Sequence, residues 1–160
     1  MGKEPVVAWK PQVGAQRAFM TCPVFECLMH GTRGGGKTDS LLMSYAQFIG
    51  KGFGSHWLGV IFRLTYPQLY DVVEKSIRWF NKIFPEARFN ESKYRWTFPS
   101  GEVLLFRYGA IEADYWNYHG WEIPFLGFEE LTNWKDPGFY ESMQSCCRSS
   151  FPGMPRMVRA

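Results

Sequence analysis

Gly31-Thr32-Arg33-Gly34-Gly35-Gly36-Lys37-Thr38 is the stretch on which the reading of this 160-residue chain turns. It matches G-x-x-x-x-G-K-[ST] without a gap, the pattern of a loop that cradles phosphate. The glycines let the backbone curl so that successive N–H groups converge on phosphate oxygens. The helix that follows would add the positive end of its dipole at the same point. Lys37 is placed to reach the β- and γ-phosphates of a bound ATP, and the Thr38 hydroxyl to hold Mg²⁺.

The neighbouring segments fit that motif. Val24–Met29 (VFECLM), bounded by Pro23 and Gly31, reads as a short buried strand leading into the loop. From Thr38 to Ile49 the apolar residues Leu41, Leu42, Tyr45, Ala46, Phe48 and Ile49 recur at helical spacing, and Gly50 stops the run. Trp57–Arg63 (WLGVIFR) is again a buried-strand run. Leu69, Val72, Val73, Ile77, Phe80 and Phe84 then mark an amphipathic helix from about Pro67 to Phe84, closed by Pro85. Tyr94–Phe98 and Val103–Tyr108 flank Pro99-Ser100-Gly101-Glu102 as the arms of a hairpin. A further apolar strand, Ile123–Phe128, precedes a helix from Pro137 to Arg148, and the final RMVRA reads as the opening of a strand. Residues 1–23, punctuated by Pro5, Pro11 and Pro23, read as irregular.

Alternation of strands and helices predicts an α/β fold, a P-loop NTPase with a mainly parallel central sheet flanked by helices. Helices on both faces explain why the strands are apolar almost throughout. The division expected is an N-terminal segment, 1–23, and an ATPase core, 24–160, incomplete at its C-terminal end.

Composition narrows the class. Hydrophobic residues at 46% and charged residues at 21% exclude wholesale disorder, and seven Trp, eight Tyr and 14 Phe supply bulk for a core. The net charge of +3 permits a nucleic-acid partner without arguing for one. No apolar run reaches the roughly 18 residues of a membrane span, and Met1 to Lys10 lacks the apolar centre of a signal peptide. Cys22, Cys27, Cys146 and Cys147 have neither zinc-site spacing nor the density of a disulfide scaffold, which favours a reduced, intracellular protein. His30, His56 and His119 have no Cys or carboxylate partner at ligand spacing. Trp116, Tyr118 and Trp121 read first as core aromatics, with stacking on nucleotide bases as the alternative.

A phosphate loop of this kind needs acids at the end of a second strand. Glu129 and Glu130 follow Ile123–Phe128 directly. The first would steer Mg²⁺ through water, and the second would orient or deprotonate the attacking water. Glu129 stands where Asp is usual.

Beyond the motif, several stretches resemble the large terminase subunit of tailed bacteriophages, the ATPase that drives DNA into the procapsid. They are WKPQVGAQRAF, GTRGGGKTDSLLM, FRLTYPQLYD, FNESKYRWTFPSGEVLLF and YWNYHGWEIPFLGFEELTNW, which together cover about residues 9 to 148 in the family's order. The resemblance implies that Gln16 reads adenine, the alternative being an exposed polar residue. It implies that Arg33 senses the γ-phosphate, the alternative being a solvated loop arginine, and that Glu129 and Glu130 are the metal-binding acid and the catalytic glutamate. Arg148, near the family's run of arginines, is placed to complete a neighbour's site in a ring; otherwise it is a helix-end arginine facing the dipole. Arg63 would contact DNA or link ATP state to the next helix, with a surface charge as the plain alternative.

The same resemblance implies double-stranded DNA, the small terminase subunit, the portal protein and a homo-oligomeric ring as partners, and the cytoplasm of an infected bacterial host as the location. The family's coupling motif and nuclease domain are not among these residues, so the fragment is expected to bind ATP weakly. Two other classes fit the motif: a P-loop kinase acting on a small molecule, and a nucleotide-dependent binding module without hydrolysis.

Overall fold

The computed structural model describes residue 2, residues 4–34 and residues 36–160. Its strands are β1 (Glu26–Cys27), β2 (Leu58–Arg63), β3 (Arg88–Asn90), β4 (Arg95–Thr97), β5 (Val103–Tyr108), β6 (Phe125–Phe128) and β7 (Met157–Arg159). The helices are α1 (Ala15–Met20), α2 (Lys37–Ala46), α3 (Leu69–Ile83) and α4 (Gly138–Gln144). These strands form one sheet in the order β1-β7-β6-β2-β5-β4-β3. The pairs β1–β7, β7–β6, β6–β2 and β2–β5 are parallel, while β5–β4 and β4–β3 are antiparallel. The mainly parallel α/β sheet read from the sequence is the one the chain adopts.

Central β2 explains the pattern. In LGVIFR every residue after Leu58 is buried, because successive side chains point to opposite faces and both faces are covered. Ile61 joins Leu104, Phe106 and Phe125 in one core, closed by α2 and α3 through Leu42, Tyr45, Val72 and Phe80. Val60 and Phe62 join Leu105, Leu126 and Phe128 in the other, closed by Phe139 and Met143 of α4 and by Trp134. Helix α3 keeps the expected apolar stripe, with Leu69, Val72, Val73 and Phe80 buried. It is entered through a capping box, in which Thr65 and Gln68 exchange side-chain and backbone hydrogen bonds.

Gly59 sits where the first core is tightest. A Cβ there would stand 2.5 Å from Tyr45 Cδ2 and 2.9 Å from Leu104 Cδ1. Tyr45 is held by stacking on Trp57 at 5.6 Å and cannot move aside. Gly59→Ala is therefore expected to cost about 1–3 kcal/mol by overpacking. Urea unfolding would read this as a lower midpoint at unchanged slope; a midpoint equal to the parent's would refute it.

Three local expectations are corrected, and one is extended. Residues 1–23 are not wholly irregular: α1 is a helix that buries Gln16 and Phe19, too short to leave a periodic signature. The strand expected over 24–29 is only Glu26–Cys27. It lies at the sheet edge and is not buried, leaving Val24, Phe25 and Leu28 exposed. The hairpin arms pair as expected, as β4 and β5, and the hairpin is extended by β3, a three-residue strand whose alternation is too short to read, which pairs with β4. The helix expected over 137–148 ends at Gln144, and Pro137 is its N-cap.

All four cysteines are free thiols, with Cys146 and Cys147 buried. Of the three aromatics before the second acid, only Tyr118 is core; Trp116 is 69% exposed and Trp121 38%.

Candidate active site

The loop meets α2 without an intervening residue, so Lys37 and Thr38 occupy the helix's first turn. Gly36 precedes it in the left-handed region at φ 68°, where an L side chain is strained. Its missing Cβ also makes room for Gln16, whose Nε2 would stand 2.0 Å from that atom. Gln16 is 6% exposed. Its Nε2 donates to the Gly36 carbonyl at 3.1 Å and its Oε1 accepts the Gln12 N–H at 2.8 Å. Gln16 thus fastens α1 to the back of the loop, and the exposed alternative is corrected. Gly35 lies outside the described residues.

Lys37 Nζ donates to the carbonyls of Gly31 and Thr32, both at 2.9 Å. Thr38 Oγ1 donates to Glu129 Oε1 at 2.5 Å, bridging the loop and the end of β6. Glu129 is held in turn by its own N–H, which donates to the Phe62 carbonyl at 3.0 Å. That bond continues the β2–β6 register, in which Phe62 pairs with Phe128, so Arg63 falls beside Glu129.

Arg63 Nη1 lies 3.5 Å from Glu129 Oε2. Arg63 is 9% exposed and Glu129 8%, so Arg63 is not a surface charge. The sign that could have marked it is in the sequence: Arg63 is the charge that ends one apolar strand, and Glu129 directly follows another. Glu129 Oε2 and Arg63 Nε are buried without a hydrogen-bond partner among the described residues.

Burial raises the Glu129 pKa; the Thr38 hydrogen bond and the Arg63 charge pull it down, and Glu130 adds to the rise. A carboxyl raised in the folded state favours the fold below its ordinary range, and that contribution is lost as pH rises. At neutral pH the site therefore carries a cost that a cation beside Oε2 would relieve.

Glu130 adopts the left-handed conformation at φ 55° and ψ 50°, uncommon for a residue with a side chain. That twist turns the chain out of β6, so that Glu129 is buried and Glu130 is exposed.

A cleft of about 980 Å³ opens over these groups. Gly31, Arg33, Lys37, Thr38, Glu129 and Glu130 line it together. Asp71, Glu74, Lys75 and Arg78 of α3 form a charged wall that the motif did not foretell. Thr32, Gly34 and Gly36 belong to the loop but not to this lining, and Gln16 sits behind it. Arg148 is elsewhere: its guanidinium donates to the carbonyls of Gly120 at 3.1 Å and Trp121 at 3.4 Å. With α4 ending at Gln144, it does not face that helix's dipole.

No protein-family model matches the chain, and no curated protein matches it in sequence. Solved structures do match. A large terminase from a thermophilic bacteriophage superposes at TM-score 0.61 and 14% identity, over 94% of this chain and 39% of that one. The same phage's large terminase in complex with ADP gives 0.59 at 15% identity, over 91% and 38%. The ATPase domain of the Thermus phage P74-26 large terminase gives 0.58 at 15%, over 95% and 65%.

The chain shares its fold with these large terminases, including the ATPase domain of the Thermus phage protein. This chain spans 39% of the length of the first of these terminases. The resemblance read from the motifs and the likeness in fold point to the same proteins.

Proposed function

We propose that this chain is the ATP-binding and ATP-hydrolysing motor domain of a phage large terminase, powering packaging of double-stranded DNA into procapsids. The observation that carries the reading is the Thr38–Glu129 hydrogen bond. It joins the first turn after the phosphate loop to the first of the two acids after β6, segments 91 residues apart in the chain.

In this reading the loop N–H groups from Gly31 to Gly36 receive the phosphates, Lys37 leaves its loop carbonyls for the β- and γ-phosphates, and Arg33 meets the γ-phosphate from the rim. Thr38 Oγ1 and Glu129 are hard oxygen ligands side by side, and Glu129 Oε2, buried beside the Arg63 guanidinium but without a hydrogen bond, is the kind of atom that a metal cation satisfies. Mg²⁺ would be held there and would neutralise charge on the β- and γ-phosphate oxygens. Glu130, exposed in the same cleft, takes the proton of the attacking water as that water adds in line to the γ-phosphorus and the bond from that phosphorus to the β–γ bridging oxygen breaks, so that inorganic phosphate and ADP are the products. Gln16 reads adenine only if its amide exchanges the Gly36 carbonyl for the base. Arg148 serves a neighbouring copy rather than its own cleft.

The proposed partners are double-stranded DNA, the small terminase subunit, the portal protein and further copies in a ring, in the cytoplasm of an infected bacterial host. Among the described residues, no helix is long and apolar enough to cross a membrane.

Phosphate release from Mg²⁺-ATP tests the reading. It is expected to occur and to rise when double-stranded DNA is added. Transfer to a small acceptor instead would identify a kinase, and nucleotide binding with no release would identify a binding module; either result overturns the hydrolytic assignment.

A further inference from the structure

A second cleft, of about 410 Å³, shares no lining residue with the first. Its floor is the buried apolar surface of Leu69, Leu105 and Phe106, and three tyrosines stand around it. Tyr66 sets its ring edge-on to Tyr94 at 5.2 Å and to Tyr108 at 6.0 Å. The Tyr66 hydroxyl donates to that of Tyr94 at 2.9 Å. Tyr66 is nevertheless 51% exposed and Tyr108 54%, so aromatic surface is held open to solvent.

Tyr94 has a left-handed backbone at φ 49°, at the turn between β3 and β4. Such conformations persist where the surroundings over-determine them, and they cluster at ligand clamps.

The charges of this cleft are one-sided. Lys93, Arg95 and Arg107 line it, and among the described residues no carboxylate does. Arg107 is pinned, its Nη1 donating to the carbonyls of Lys93 at 2.9 Å and Phe106 at 2.7 Å. Lys93 and Arg95 are exposed.

We propose that this cleft takes an unstacked nucleobase of a single-stranded or locally opened nucleic acid, with the flanking phosphates on Lys93 and Arg95. Every base has a π-face that a tyrosine ring accepts, and the neighbouring cations meet the backbone. A base inside a duplex has both faces occupied by its neighbours and offers none. An acidic peptide would satisfy the cations but would bring no flat, uncharged surface to the rings. The inference does not rest on the ATPase assignment, because the two clefts are separate.

The test measures anisotropy of a fluorescein-labelled oligothymidylate of about 12 nucleotides, within the range of single-strand sites. Binding is expected to weaken with salt. Tyr108→Ala, at an exposed position, should weaken it about tenfold by loss of one stacked base, while Tyr108→Phe keeps parental affinity. Binding of a fluorescent ATP analogue should be the same in all three proteins, which separates this site from the first. Equal affinity of Tyr108→Ala and parent for the oligonucleotide would overturn the proposal. So would equally tight binding of a blunt duplex of the same length, or displacement by polyglutamate at matched charge.

Discussion

Glu130→Gln is expected to leave ATP bound and to stop its turnover, lowering kcat by about 10²–10⁴-fold, the usual contribution of a general base. The amide keeps the size and polarity of the carboxylate but cannot accept a proton from the attacking water. The left-handed backbone at Glu130 is what separates its duty from that of Glu129. One acid is buried on Thr38 and Arg63, while the next is exposed in the cleft. Because Glu130 is exposed, and among the described residues no hydrogen bond of its side chain holds the loop, the variant should fold as the parent does. Titration with a fluorescent ATP analogue should return parental affinity, and single-turnover phosphate release should be nearly absent. Turnover at the parental rate would remove Glu130 from the role of base.

Lys37→Ala is expected to act at the earlier step, on binding. An ammonium that donates to phosphate makes charge-assisted hydrogen bonds, and losing them should cost about 3 kcal/mol, on the order of a hundredfold in Kd. The loop itself should survive. The two contacts Lys37 makes, to the Gly31 and Thr32 carbonyls, are solvent-exposed, and water replaces such partners at little cost. Stability within about 0.5 kcal/mol of the parent is the expected control. Calorimetric titration with ATP checks the affinity, and a Kd equal to the parent's would mean that the loop does not hold a triphosphate through this lysine. The two variants should thus separate: one loses nucleotide, the other keeps it and cannot turn it over.

What was already plain in the chain was what neighbouring residues settle among themselves. The glycines and Lys37-Thr38 define a phosphate loop within a few positions. The apolar run of β2 announces a strand covered on both faces, and the spacing of Leu69, Val72, Val73 and Phe80 announces α3. Glu129 and Glu130 could be singled out because two acids ending an apolar strand are a local pattern as well. Three-dimensional packing alone decided the rest. That Gln16 is buried depends on α1 lying behind Gly36, and that β1 is an exposed edge depends on where β7 inserts. That Arg63 is a buried partner of Glu129 depends on β2 and β6 being neighbours in register. The tyrosine cleft gathers Tyr66, Tyr94 and Tyr108 from the entry to α3, the β3–β4 turn and the end of β5. Side-chain period and turn chemistry are short-range and survive in a linear string of letters. Burial and charge pairing arise from contacts between distant segments, and they exist only once the sheet has assembled.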